Sequence, residues 1–219
     1  MNILPQPLNA LDILNIFIEE HRICSPLDFE ADVTIILNFN TTVSDWRCAR
    51  DLMRWRPLSH FLNAEFNLSL SEEQWKSVLT PARKRTLREV CELIANHCSF
   101  PTVTPVRLLG NSCLSAAVFI TLKKYLARRG VQVDELKPST PIGPYLHTDF
   151  SAMIKQIGIL ARGNKVFEVF DYASTSHLNK PFLHLFTTRV ALETGSILTF
   201  RDVVEKIIAV NDPYSSPKS

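Results

Sequence analysis

Five times along the chain a short polar side chain is followed three residues later by an acid or an amide, just ahead of apolar residues spaced three and four apart. The pairs are Asn9 with Asp12, Thr42 with Asp45, Ser71 with Gln74, Thr86 with Glu89 and Thr199 with Asp202. This is the capping box, in which the first side chain accepts a hydrogen bond from an orphan amide of the opening helical turn and the second accepts one from the cap residue's own amide. A strand has no use for either bond. The repetition predicts a mainly α fold, with helices over residues 9–22, 42–53, 71–79, 86–97 and 199–210.

Apolar spacing says which faces these helices bury. Leu87, Val90, Cys91, Ile94 and Cys98 recur with helical period, as do Phe200, Val203, Val204, Ile207 and Ile208. Phe150, Met153, Ile154, Ile157 and Ala161 make a comparable stripe ending at Gly163. Pro181 opens another segment that carries Phe182, Leu185 and Phe186 up to Gly195. Residues 112–129 are apolar nearly all round in their first half, through Leu114, Ala116, Ala117, Val118, Phe119 and Ile120, and Gly130 follows as a stop. This segment is expected to be a buried central helix around which a compact domain of eight or nine helices packs.

Three segments resist a helical reading. Residues 33–39 (VTIILNF) are rich in β-branched side chains and read as strand, yet Ser25, Pro26 and Asp28 read as a helix start ahead of them. Residues 131–133 and 166–170 are short and β-like, so a small sheet of two or three strands is allowed for. The prolines near 101 and 105, and those at 138, 141 and 144, lack the serine and glycine of flexible linkers and read as rigid joints inside one domain over residues 1–212. Any subdivision falls near Pro138, and residues 213–219 are expected to form a disordered tail.

Composition narrows the class. With 219 residues, 46% hydrophobic and 21% charged, the chain can bury a core without staples and is neither a disordered tract nor a fibrous repeat. Its five cysteines are odd in number and lack any CxxC pair, which excludes a disulfide framework or zinc ribbon and points to reduced thiols. The N-terminus has no basic leader and mixes acids with its apolar residues, so a cytoplasmic location is expected. The most apolar run, 113–122, stops at Lys123 and Lys124, short of the roughly 20 residues needed to cross a bilayer.

Three groups of residues could carry chemistry. The first is the turn into the helix at 112–129, where a thiol at Cys113 would meet the positive end of the helix dipole and free amides that activate a nucleophile. The run 110–117 resembles, over about eight residues, the nucleophile region of papain-like thiol hydrolases. That resemblance implies a histidine base, for which His147, His177 and His184 are candidates, and an orienting acid at Asp149 or Asp171. The tryptophan and cysteines usual around that nucleophile are absent here, and Cys113 reads equally as a small packed residue at a cap.

The second group is basic. Arg47, Arg50, Arg54 and Arg56 interleave with Trp46 and Trp55; Arg83, Lys84, Arg85 and Arg88 lead into the Thr86 helix; Lys123, Lys124, Arg128 and Arg129 close the central one. Spacings of three and four would line Arg47, Arg50 and Arg54 along one helical face, a surface suited to phosphates and stacked bases. Against this, the net charge is only +2, and no helix-turn-helix, zinc-finger or RNP-type motif is present. The third group, His147 and Asp149 with His184, or Cys91 with His97 and Cys98, meets no metal-ligand spacing, and no phosphate-binding glycine loop occurs. No metal or cofactor is therefore expected. The reading is a non-catalytic protein-interaction or regulatory module whose partner is another protein, with nucleic-acid binding and thiol hydrolysis as alternatives.

Overall fold

The structure is a computed structural model and describes residues 7–98, 103, 106–108, 111–167, 171–172 and 192–212. Among them are nine α-helices: α1 Ala10–Cys24, α2 Val43–Ala49, α3 Trp55–Phe66, α4 Glu72–Leu79, α5 Leu87–His97, α6 Leu114–Arg128, α7 Gly143–Thr148, α8 Phe150–Leu160 and α9 Phe200–Asn211. The fold is mainly helical, as the caps predict. Asn9 and Asp12 exchange both bonds at 2.9 Å. The boxes at Ser71 and Thr199 also close, and Glu89 accepts the Thr86 amide at 2.8 Å. At Thr42 only half the box forms, because the Asp45 carboxylate takes the Thr42 hydroxyl instead of its amide.

Two helix ends depart from expectation. α2 stops at Ala49 rather than near Met53, since Asp51 turns into the left-handed region at φ 43° and the Leu52 amide bonds back to the Arg47 carbonyl. α3 has no capping side chain at Arg54 and carries Pro57 in its first turn, so no start signal marks it in the sequence. Packing forms it instead: Leu58, Leu62 and Phe66 are buried at intervals of four.

The apolar residues gather into two clusters. The first, built by α1 to α5, holds Phe17, Trp46, Leu62, Trp75 and Ile94. The second, built by α6 to α9, holds Leu122, Met153, Ile157, Phe200 and Val203, with Leu136 and Ile142 on either side of Pro138. Each borrows one residue across the seam: Ile159 of α8 belongs to the first and Ile23 of α1 to the second. α1 packs on both α5 and α8, so the α1–α8 pair joins the two halves.

That arrangement corrects the assignment of the central helix. The helix expected over 112–129 forms as α6, with Gly130 following its C-cap at φ 83°, but it is buried on one side only. Ile120 is 51% exposed, and Ser115, Lys124, Ala127 and Arg128 also face outward. The reason is that α6 packs on α8 and α9, leaving its far side uncovered. The helix buried all round is α8, where every residue from Met153 to Leu160 is inaccessible, Lys155 and Gln156 included.

The chain leaves α8 through Gly163 (φ 73°), whose α-carbon is pressed on α1 so closely that a β-carbon would stand 2.2 Å from the Asn15 carbonyl carbon. Arg162 fastens the same corner, donating to the Asp12 carboxylate at 2.7 Å.

Among the described residues the sheet content is two short antiparallel ladders: β1 Val106–Leu108 with β2 Asn111–Cys113, and β3 Asp171–Tyr172 with β4 Leu192–Glu193. They fall outside the β-like segments at 33–39 and 131–133, while residues 168–170 of the third lie outside the described residues. Residues 33–39 and 131–133 are loops, and Ser25–Leu27 is a lone 3-10 turn rather than a helix start. In 34–39 burial alternates, with Ile35, Leu37 and Phe39 turned in and Thr34, Ile36 and Asn38 out. This is strand-like spacing with no strand beside it to complete a ladder. Val166 and Phe167 are buried outside any strand. The helix expected from Pro181 and the tail at 213–219 lie outside the described residues. No helix among those described is long and apolar enough to cross a membrane.

Candidate functional site

Cys113 ends β2 and serves as the N-cap of α6, so the thiol stands one position ahead of the first turn, and the strand ladder pairs Cys113 with Val106. It is half-buried. Its proposed base His147 is exposed on α7, and among the described residues neither side chain has a hydrogen-bond partner. The proposed orienter Asp149 accepts the Thr148 hydroxyl at 2.6 Å. Asp171 begins β3, while His177 and His184 lie outside the described residues. Among the described residues no three of His, Cys, Asp and Glu gather as a metal set. Cys91 is fully buried, with its thiol pushed up by burial, and His97 is engaged by the Leu93 carbonyl at 2.9 Å.

The helical stripe expected of Arg47, Arg50 and Arg54 does not form. Because α2 ends at Ala49, Arg47, Arg50 and Arg54 belong to a helix, its C-cap and the next helix's N-cap rather than to a common stripe. Trp46, expected at the surface, is 2% exposed in the first cluster. Most of the cations are engaged within the chain. Arg47 donates to the Leu52 and Met53 carbonyls, Arg56 pairs with Glu72 at 3.0 Å, and Arg85 pairs with Glu89 at 2.8 Å. Arg88 lies over Phe39 and Arg128 over Tyr125. Lys123 holds the Asp134 and Leu136 carbonyls, and Arg129 holds the Glu65 carbonyl. Arg54, Arg83, Lys84 and Lys124 stay exposed.

Two features absent from the sequence reading stand out. One is a buried ionic cluster at the seam of the two cores. Glu20 of α1 and Glu65 of α3 are 4% and 5% exposed, and Lys155 of α8 is 8% exposed. Arg50 donates to Glu20 Oε2 at 2.9 Å, Lys155 Nζ lies 3.4 Å from Glu65 Oε2, and the same ammonium sits 3.5 Å from the Phe61 ring centroid. Burial raises the Glu20 carboxyl, but Arg50 and Lys155 outweigh it and hold it below the ordinary range. Glu65 has less compensation: burial, then the facing Glu20, push it up to about 8 against the pull of Lys155. Burial also pushes the neighbouring Cys24 thiol up to about 11. The cluster holds acids and bases yet is closed to a substrate. A cavity nearby between α1 and α8, lined by Glu19, Ile154 and Phe167 among others, measures about 10 Å³, the space of roughly one water.

The other feature is the loop between the 3-10 turn and α2. It exposes Phe29 (96%), Val33 (56%) and Ile36 (84%), interleaved with Asp28, Glu30 and Asp32. Yet its backbone is held. Asp28 accepts the Glu30 amide, Asp32 accepts both the amide and the hydroxyl of Thr34, and the Asp32 amide donates to the Cys48 carbonyl at 2.9 Å. His21 reaches the loop from α1, with Nε2 3.0 Å from the Ile35 carbonyl and Nδ1 2.7 Å from Ser25 Oγ. Burial keeps that ring's pKa below its usual value, so the neutral imidazole donates from Nε2. Ile35 and Leu37 anchor the loop in the first cluster.

No family model, curated protein or solved structure matches this chain. Function is therefore argued from the chain's own residues. A signal for the ionic cluster was present: Glu20 falls on the stripe of Ile13, Ile16, Phe17 and Ile23, and Lys155 falls between the buried Ile154 and Gln156. A charge on a buried stripe is an anomaly that only a partner from another helix resolves.

Proposed function

We propose that this chain is a non-catalytic protein-interaction module that docks through the loop at 27–36 into an apolar cleft rimmed by basic side chains on another protein. One observation carries the reading: three large apolar side chains stand in solvent on a loop that is internally hydrogen-bonded. Exposed apolar groups on a floppy segment would lose much of their binding energy to ordering, whereas a held loop has met that cost on folding. The interleaved acids give the partner's chemistry. Asp28, Glu30 and Asp32 surround Phe29, Val33 and Ile36, so the complementary surface combines apolar pockets with lysine and arginine. The five unpaired cysteines, Cys48 among them exposed, fit a reducing, cytoplasmic setting, which is part of the proposal.

The test is a photo-cross-linking residue at position 29 of the full chain, followed by mapping of the linked peptides. The expected outcome is a cleft on one partner with apolar walls and a basic rim. The purified complex should weaken as salt rises and lose at least tenfold in affinity in the Phe29→Ser/Ile36→Ser double variant, since about 1.4 kcal/mol corresponds to tenfold. Both positions are exposed, so the variant should keep the wild-type circular dichroism. An acidic or flat contact surface, cross-links only between copies of this chain, or unchanged affinity of the double variant would each overturn the reading.

A further inference from the structure

The buried cluster leaves two atoms without partners. Glu20 Oε1 and Glu65 Oε1 are inaccessible to solvent and have no hydrogen-bond partner, although the other oxygen of each carboxyl is engaged by Arg50 or Lys155. Glu20 and Glu65 are neighbouring groups of this cluster, each acting on the other's proton affinity. Two carboxylates cannot bond, because both are acceptors only, and two unsatisfied buried oxygens would each carry a full desolvation penalty. One proton removes both problems. We infer that Glu20 and Glu65 share a single proton, forming an acid–carboxylate clasp between α1 and α3 beside the seam of the two cores.

The surrounding charges decide which carboxyl keeps the proton. Facing the pair are Arg50 from the end of α2, Lys155 from α8, and Arg129, which follows α6 and donates to the Glu65 carbonyl at 2.9 Å. Glu20 has the closer ion pair, with Arg50 at 2.9 Å, whereas Glu65 has an ammonium at 3.4 Å that is also committed to Phe61. Glu20 therefore stays the carboxylate and Glu65, whose pKa burial and the facing Glu20 push up to about 8, is the acid. Glu19, the other acid at this end of α1, is bound by Arg22 at 2.6 Å and stays outside the pair.

A group held protonated by the fold contributes stability that is complete below its unfolded pKa and is lost as pH rises through the folded one. For Glu65 that window runs from the ordinary glutamate value of 4.5 up to about 8. Loss of the proton sets two carboxylates face to face in a dry joint, so alkaline pH loosens the contact of α1 with α3. The clasp makes the packing of α1 on α3 proton-dependent.

Glutamate side-chain carboxyl ¹³C shifts of the full chain, followed from pH 4 to 9, test this directly. One glutamate should titrate near pH 8, vanish in Glu65→Gln, and move to lower pH in Glu20→Gln, where a facing amide replaces the facing charge. Glu65→Gln keeps a donor toward Glu20 and so mimics the protonated state. Its denaturant midpoint should hold between pH 6 and 9 while that of the wild type falls. A wild-type chain with no glutamate titrating above pH 6, or a Glu65→Gln variant whose midpoint falls in parallel with the wild type, overturns the inference. The first measurement needs no variant, so it decides the matter even if a substitution fails to fold.

Discussion

Gly163 illustrates how much one residue can settle. At φ 73°, with the Asn15 carbonyl carbon 2.2 Å and the Ile16 nitrogen 2.3 Å from where a β-carbon would stand, it lets the end of α8 press onto the backbone of α1. Gly163→Ala combines a left-handed backbone with a collision against main-chain atoms that cannot rotate away. We expect a loss of roughly 3 kcal/mol or more, read as the shift in denaturant midpoint at unchanged slope. The sequence marks Gly163 as a helix stop, and it is one, but the reason no other residue will serve is the neighbouring helix. Glu65 shows the same limit: nothing local distinguishes it from a surface glutamate at the end of an amphipathic helix. Its unusual proton affinity comes from Glu20, 45 positions earlier in the chain, and is blunted by Lys155, 90 positions later.

At the scale of elements, the helices that announce themselves are those with local start signals. A capping box is made by residues three apart, so it is complete in the sequence and needs no partner from elsewhere in the chain. α9 depends on such a box: Asp202 accepts the Thr199 amide at 2.8 Å, and Thr199 Oγ1 takes the Asp202 amide in return. Thr199→Ala should cost about 1 kcal/mol, a fall of some 2–4 °C in thermal midpoint for a chain of this size. α3 has no such signal, and neither does α7, whose N-cap Ile142 offers no side chain to an amide; tertiary burial forms both. Residues 33–39 show the converse. Their β-branched side chains keep the backbone strand-like, but a strand needs a neighbour, and among the described residues the nearest bridge in sequence joins Thr42 to Thr86. The segment becomes an anchored loop, with Ile36 left outside.

The whole molecule is two apolar clusters fastened by α1, α8 and the ionic joint between them. Ile23 and Ile159 are the residues each half lends the other, and together with the Glu20–Glu65–Lys155 contacts they should make the halves unfold together. Trp46, Trp55 and Trp75 all belong to the first half, so tryptophan fluorescence reports that half while far-ultraviolet circular dichroism reports both. For the wild type the two denaturation curves should coincide. Ile23→Ala and Ile159→Ala should each lower stability by about 2–5 kcal/mol, and in the double variant the two curves should separate. Coincident curves in the double variant would mean that the joint is carried by other contacts.

Local chemistry determined the class of this protein: capping boxes and helical stripes depend only on residues a few positions apart, and they led to a mainly helical fold with five helix starts in place. What lies between helices was settled by tertiary structure alone. The helix that opens with the apolar run at 113–122 is half exposed as α6, and the fully buried position went to α8, because burial depends on how many neighbours cover a helix. Most of the basic residues that looked like a surface were drawn into carbonyls, carboxylates and rings of their own chain, since a guanidinium bonds whatever acceptor folding brings within reach. The carboxyl pair and the exposed loop depend on groups far apart in the chain, or on the absence of a covering neighbour, and neither relation exists until the chain has folded.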